Sequence, residues 1–280
     1  MPPQGSGATQ RTWRLAYGLM LIALVACARE PKLKPTGEIS FSSQSYSRQS
    51  ADCDSASSPC ARIRIQYPEI TGAPKPGIRD SIQAWILDFV LRRTDDTLRA
   101  PSVDAVIESF LEGFEELRRQ YPEATQPWEV DRQVSVLPSV PGIFSLEARE
   151  FSATGGAHPN SSIQLASFEV GSGRRLSLSD LLVTGHGPPL SALAEKAFRA
   201  ARGVPADSSL ENVGFWFEGS QFRLPRNFAV TADGLRFYYN AYEVGPYVLG
   251  ATDFLVSYDD LSGLIRSDGP LASRAPRAPS

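Results

Sequence analysis

Polar and apolar residues alternate from Arg62 to Tyr67, with Ile63, Ile65 and Tyr67 on one face and Arg62, Arg64 and Gln66 on the other. That period of two predicts a strand with one buried side, which Pro68 is expected to end. The period then changes. Ile78, Ile82, Trp85, Ile86, Phe89 and Val90 recur at helical spacing, as do Val103, Val106, Ile107, Phe110, Leu111, Phe114 and Leu117, and predict two amphipathic helices. Pro101 and Ser102 stand where the second helix would start. From Trp128 onward the segments WEVDRQVSVLP, IFSLEAREFSA, SSIQLASFEV, FAVTADGLRFYYN and DFLVSYDDL are of strand length, rich in β-branched and aromatic residues, and bounded by Gly, Pro or Asn. Their short connections favour antiparallel pairing. GSGRR from Gly171 predicts a hairpin turn, and LSALAEKAFRAAR from Leu190 a further helix stopped by Gly203 and Pro205.

These elements predict an α+β fold, antiparallel sheets with packed amphipathic helices, in two intimately associated subdomains. The first spans residues 39–140, and the second, β-rich with one helix, spans 141–264. The Pro/Ala/Ser-rich segment 265–280 reads as a disordered tail.

The N-terminal pattern is of another kind. An apolar run from Leu15 to Ala26, preceded by Arg11 and Arg14, is shorter than the about 20 residues a spanning helix needs, and predicts an export signal over residues 1–26. It ends in Leu24-Val25-Ala26-Cys27, which resembles the bacterial lipobox. The resemblance implies that the Cys27 thiol is lipidated and anchors the chain to a membrane, with residues 27–38 as a tether. Ala28, in place of Asp, favours the outer membrane, facing the periplasm. An ordinary secretory signal is the alternative. Setting Cys27 aside leaves Cys53 and Cys60 as an even pair flanking DSASSP, which predicts a small disulfide loop in an oxidising compartment, worth about 2 kcal/mol in the chain-entropy account. A two-thiolate metal site would lack its other ligands, because His158 and His186 lie far away in sequence.

With 42% hydrophobic residues in 280, the chain can bury a large core and is not disordered. A net charge of −3 with scattered basic residues excludes nucleic acid as a partner. No Gly-x-Ser-x-Gly elbow, His-Glu-x-x-His pair or phosphate-binding loop is present, so no cofactor, metal or catalytic residue is assigned. Glu112, Glu115 and Glu116 fall on a solvated helix face beside Arg118 and Arg119.

The loop ATGGAHPNSS, between two predicted strands, is the one segment that invites a site. Gly155 and Gly156 permit backbone conformations closed to other residues, Pro159 stiffens the exit, and His158 can bind a ligand, serve as a general base or simply brace a turn. His186 in TGHGPP reads as a surface-loop residue.

The stretches TGGAHPNSSIQLASFEVGSGRRLSLSDLL and LRFYYNAYEVGPYVLGATDFLVSYDDL resemble the paired domains of unknown function in the extracytoplasmic parts of lysozyme-sensing anti-sigma factors. The same pair precedes the catalytic domain of certain peptidoglycan deacetylases. The likeness covers roughly Ile39 to Leu264 and is carried by Gly155, Gly156, Ala157 and His158, by Leu178, Asp180 and Leu181, and by Tyr242, Gly245, Tyr247 and Gly250. It implies a binding module at the cell wall, not an enzyme. With only ten residues before Arg11, a cytoplasmic sigma-binding domain is not expected. The candidate binding residues are Gly155, Gly156, His158, Asn160, Tyr239, Tyr242, Glu243 and Tyr247, because aromatic faces suit sugar rings and protein hot spots alike. The expected partner is peptidoglycan glycan or a protein acting on it. A lysozyme-binding or lysozyme-inhibiting role, with acidic residues against a basic enzyme, is the alternative, and a hydrolase using His158 with a carboxylate the third reading.

Overall fold

A computed structural model describes residues 39–51, 53, 59–93, 99–123 and 125–275. The signal segment, Cys27 and the tether lie outside the described residues, and so does the end of the chain beyond Ala275. Among the described residues no helix is long and apolar enough to cross a membrane.

Five strands, β1 (Ser40–Gln49), β2 (Ala61–Gly72), β3 (Trp128–Leu137), β4 (Ile143–Ala153) and β5 (Asn160–Glu169), form a sheet in chain order. All neighbours pair antiparallel except β2 and β3, which are parallel. The reason is the intervening pair of helices, α1 (Pro76–Val90) and α2 (Val103–Gln120), which return the chain to the same end of the sheet as a parallel crossover requires. The helices cover the sheet face that carries Ile63, Ile65, Val130, Leu146 and Ala148, and seat Ile82, Ile86, Phe110 and Phe114 against it in one apolar core. Ser102 is the N-cap of α2, its hydroxyl accepting from Ala105 N–H at 3.1 Å.

Pro68 does not end β2. It pairs with Ser43, and Ile70, two residues on, sends its N–H away from β1 to Gln83 Oε1 at 2.8 Å. By the alternation of a strand, the N–H that Pro68 lacks would point to that same side, where β3 is no longer paired with β2 because their ladder stops at Gln66. Strand β1 has no apolar period: its Ser- and Gln-rich sequence lies at the sheet edge, mostly exposed. Cys53 and Cys60 form the expected disulfide beside it, with Cα atoms 5.0 Å apart.

A second sheet holds β6 (Phe228–Val230), β7 (Gly234–Tyr239) and β8 (Thr252–Ser257), all antiparallel. The segment FAVTADGLRFYYN is therefore a hairpin and not one strand, closed by Thr231, whose N–H donates to Gly234 O at 2.9 Å. Helix α4 (Gly187–Arg202) packs on this sheet and buries Phe198 among Phe215, Phe217, Phe222, Tyr239 and Phe254, with ring centroids 4.9 to 5.9 Å away. Gly203 ends the helix at φ 62°, as expected of a left-handed cap. The turn at Gly171–Gly173 forms too, and it touches the start of α1. A Cβ at Gly173 would come within 2.7 Å of Ile78 Cα, and Ser81 Oγ donates to Gly173 O at 2.8 Å.

A boundary at residue 140 would divide hydrogen-bonded neighbours, since β4 and β5 complete the first sheet and pass straight to the second core. The outer edge of β5 is sealed by side chains. Asn240 Oδ1 accepts from Ile163 N–H and Asn227 Oδ1 from Leu165 N–H, both at 2.7 Å, while Asn227 Nδ2 donates to Ile163 O at 2.8 Å. Two asparagines thus stand in for a sixth strand and keep the edge from pairing elsewhere. Further along, the buried hydroxyls of Ser145 and Ser167 satisfy both backbone groups of Val230: Ser145 Oγ donates to its carbonyl at 2.7 Å and Ser167 Oγ accepts from its N–H at 2.8 Å.

The fold also extends beyond Leu264. Leu271 is fully buried in the second core and Ile265 bridges to Leu182, so the segment to Ala275 is packed where composition predicted a tail. Side-chain burial outweighs its Pro/Ala/Ser content.

Short helix α3 (Leu178–Leu181) carries the resemblance residues Leu178, Asp180 and Leu181, and their role is structural. Asp180 accepts from Ser177 N–H and Ser177 Oγ, both at 2.7 Å, and pairs with Arg174 at 2.7 Å. The Arg174 guanidinium, followed by the Ser177 bonds, holds the Asp180 carboxyl at about 2, below its ordinary 3.8. A carboxylate with a depressed folded pKa stabilises the fold above the unfolded value, and that stabilisation disappears as pH falls through the folded one. Acid titration of unfolding should therefore show a loss between pH 3.8 and about 2 that the Asp180→Asn variant lacks. Equal acid sensitivity of both proteins in that window would refute the assignment.

Candidate functional site

The β4–β5 connection rises over the edge of an indole. Trp128, packed below against Phe110 and Phe114, turns its Nε1 toward Gly155, where a Cβ would lie 3.6 Å away. Space is not what demands glycine at 155; the backbone is, at φ 87°. Gly156 is not in the left-handed region, so only the first of the two glycines uses the conformational freedom expected of both.

His158 comes out of this turn face to face with Tyr247, ring centroids 3.7 Å apart and planes 15° from parallel. Its Nδ1 lies 3.1 Å from Pro159 O, and a carbonyl can only accept, so Nδ1 carries the proton. Nε2 lies 3.0 Å from the Tyr242 hydroxyl, in hydrogen-bonding contact with it. Tyr247 O–H donates to the same Pro159 carbonyl at 2.8 Å, and the two tyrosine rings stand 5.7 Å apart. Both ring nitrogens of His158 are partnered in this knot of three rings.

The knot is brought together by the asparagine edge. β7 ends at Tyr239, Asn240 locks to β5, and the chain turns at once through Asn240–Glu243, with Glu243 N–H donating to Asn240 O at 3.2 Å. Tyr242 occupies the third position of this turn at φ 69°, the sole non-glycine with positive φ among the described residues. A bulky side chain there is strained, and such strain collects at functional positions. Tyr242 is also 53% exposed, which no packing requirement explains.

The remaining expected residues divide. Glu243 is exposed and joins the cluster through Asn240 Nδ2, 2.9 Å from its Oε1. Asn160 opens β5 opposite Ser152 at the foot of the loop. Tyr239 belongs to the core: it is 4% exposed, its hydroxyl donates to Arg223 O, and burial drives its phenol pKa upward. Its alternate-position neighbours on β7 show why, since Phe237 and Leu235 share its buried face. His186 sits half-buried at the start of α4, its Nδ1 donating to Val183 O at 2.8 Å. Sequence reasoning missed Trp216, 59% exposed, whose backbone N–H donates to Val244 O at 2.8 Å beside the knot. An aromatic in the loop-rich stretch ENVGFWFEGS carries no period to separate it from its buried neighbours Phe215 and Phe217. Among the described residues no group of three or more His, Cys, Asp or Glu side chains could hold a metal ion.

Comparison with solved structures shows the same fold in two bacterial proteins. A member of the DUF3298 family from Bacteroides fragilis superposes with a TM-score of 0.66 at 19% identity, over 86% of this chain and 98% of the other. A DUF3298 family protein from Pseudomonas aeruginosa gives 0.59 at 20% identity, again over 86% and 98%. No curated protein matches. Family models match two successive segments, residues 55–161 to the model described as deacetylase PdaC and residues 179–259 to that described as a protein of unknown function, DUF3298. His158 falls in the first match, and Tyr242 and Tyr247 in the second, so the knot is built from both. In succession along the chain, residues 55–161 are thus similar to the PdaC model and residues 179–259 to the DUF3298 model, the pairing that the loop at His158 and the YYNAYEVGPYVLG stretch pointed to.

Proposed function

We infer that the chain is a lipid-anchored lipoprotein of the bacterial envelope whose two domains form a non-catalytic binding module for peptidoglycan or a protein acting on it. The observation that carries this reading is the exposed, strained Tyr242 held by His158 where the two domains meet. Stacked aromatic rings with one wet face offer contact area at low entropic cost, which suits a sugar ring or a hot spot of a partner. The hydrolase reading lacks its second group: the hydrogen-bond partners of His158 are a phenol and a carbonyl, and no carboxylate joins them among the described residues. The lysozyme-binding reading is supported by exposed Glu218 and Glu243 near the knot, but Arg223 pairs with Glu218 at 2.5 Å and Arg226 adds a further positive charge, so the field there is not strongly acidic. The glycan reading is therefore preferred.

The test uses the full chain expressed in a bacterial host, with Cys27→Ser beside it. The wild-type protein should take up an alkyne fatty acid and, in detergent, be retained on purified sacculi more strongly than on immobilised lysozyme. Cys27→Ser should lose the lipid label and keep the retention. A label that persists in the variant refutes the anchor, and wild-type protein that passes through both columns refutes the binding role.

A further inference from the structure

Next to the knot the second domain opens a groove of about 590 Å³, in the size range of small-ligand sites. Trp216 forms one side of it. Its backbone N–H is bonded to Val244 O and the residue is 59% exposed, so the position of the residue is fixed at the groove wall while its large apolar side chain is left largely uncovered. Four charged side chains line the same groove, Glu218, Arg223, Arg226 and Glu243. Glu218 and Arg223 neutralise each other at 2.5 Å. Glu243 is held by the amide of Asn240 through Oε1, which leaves Oε2 to accept from a ligand. Arg226, among the described residues, has neither an ion pair nor a hydrogen-bond partner.

This combination is asymmetric. An exposed indole favours the C–H face of a sugar ring, a carboxylate oxygen takes a sugar hydroxyl, and an unpaired guanidinium is a fork for a carboxylate, with charge-assisted bonds about twice as strong as neutral ones. A neutral sugar would leave Arg226 unanswered. An anion lying against Glu243 would be repelled, so the acidic group of the ligand must sit at the Arg226 end.

We propose that this groove binds a pyranose bearing a carboxylate, its ring on Trp216, a hydroxyl donating to Glu243 and its carboxylate paired with Arg226. The assignment rests on the reading of the adjoining knot as a recognition surface and narrows its ligand to an acidic sugar. Two sources share that chemistry, the lactyl-bearing sugar of wall glycan where its peptide stem has been removed, since the stem otherwise holds the lactyl carboxyl as a neutral amide, and the uronic acids of surface polysaccharides.

Calorimetric titration of the full chain in detergent with N-acetylmuramic acid, glucuronic acid and N-acetylglucosamine tests it. At least one acidic sugar should bind tenfold or more tightly than N-acetylglucosamine. Preference for the muramic sugar assigns the wall glycan, and equal binding of both acids assigns carboxylated pyranoses generally. Arg226→Gln should bring the acids down to the neutral level, and Trp216→Ala should abolish all three, with Trp216→Phe restoring most of the wild-type affinity at an unchanged melting temperature. Equal affinity for acidic and neutral sugars, no heat with any of them, or an acid preference that survives Arg226→Gln overturns the proposal. If sacculi are retained while the acid preference is absent, the groove assignment fails alone. If the acid preference is present while neither sacculi nor lysozyme is retained, the envelope-binding role fails alone.

Discussion

Replacing Arg132 by methionine should destabilise the fold by about 3 kcal/mol, at the low end of the 3–5 kcal/mol typical when one partner of a buried ion pair is removed. Arg132 is 1% exposed and lies on the helix-covered face of β3 between Val130 and Val134. Its Nε donates to Glu150 Oε2 at 2.5 Å, and its Nη1 to the carbonyls of Val90, at 3.1 Å, and of Arg92. Those carbonyls belong to the end of α1, whose last turn contains no basic residue of its own. A guanidinium from the sheet thus supplies the positive charge and the donors that a helix C-terminus lacks. Methionine fills the space but leaves buried acceptors unanswered. Glu150 is a quarter exposed and can recover water, which is why the low end of the range applies. For a domain of this size the melting temperature should fall by roughly 6–12 °C. The double variant Arg132→Met, Glu150→Gln should recover part of the loss. A drop of under about 1 kcal/mol in the single variant, the ordinary worth of one hydrogen bond, would show that the cap is not structural.

Tyr242→Gly should leave the melting temperature within a few degrees of wild type and weaken capture on sacculi at least tenfold. Relief of a non-glycine φ of 69° regains about 1–2 kcal/mol. Against that stand the bond to His158, about 1 kcal/mol at an exposed position, and the entropy glycine brings to the unfolded chain, about 0.5–1 kcal/mol. These offset one another, so stability is a poor reason for tyrosine here and recognition a good one, hot-spot aromatics costing about 2 kcal/mol or more on truncation. His158→Ala removes the stacked partner of Tyr247 and should show the same separation of binding from stability. A large fall in melting temperature with undiminished capture would instead make the knot a brace between the two domains.

Much of the fold is legible in the chain. Ile63, Ile65 and Tyr67 declared β2, and the spacing from Ile78 to Val90 and from Val103 to Leu117 declared α1 and α2, because each element has one buried face and shows its period. Where an element has no such face the signal is lost. β1 is a polar edge strand recognised only by its ladder to β2, and Pro68 stays within β2 because the side its missing N–H would face has no strand paired to it. Arg132 was legible in principle, since the alternation of β3 puts it in line with Val130 and Val134.

By itself the sequence determined the elements with periodic faces, the Cys53–Cys60 disulfide, and the pairing of two domains that single out the loop at His158. Local patterns set these, each within a few turns of chain or one motif. Only the tertiary structure decided that β4 and β5 complete the first sheet, that Leu271 packs into the second core, and that Tyr239 is core while Trp216 is surface. It alone brought His158 within 3.0 Å of a phenol 84 residues away. That contact depends on two asparagines closing the edge of β5, and hydrogen bonds between side chains and a distant strand leave no period in the sequence.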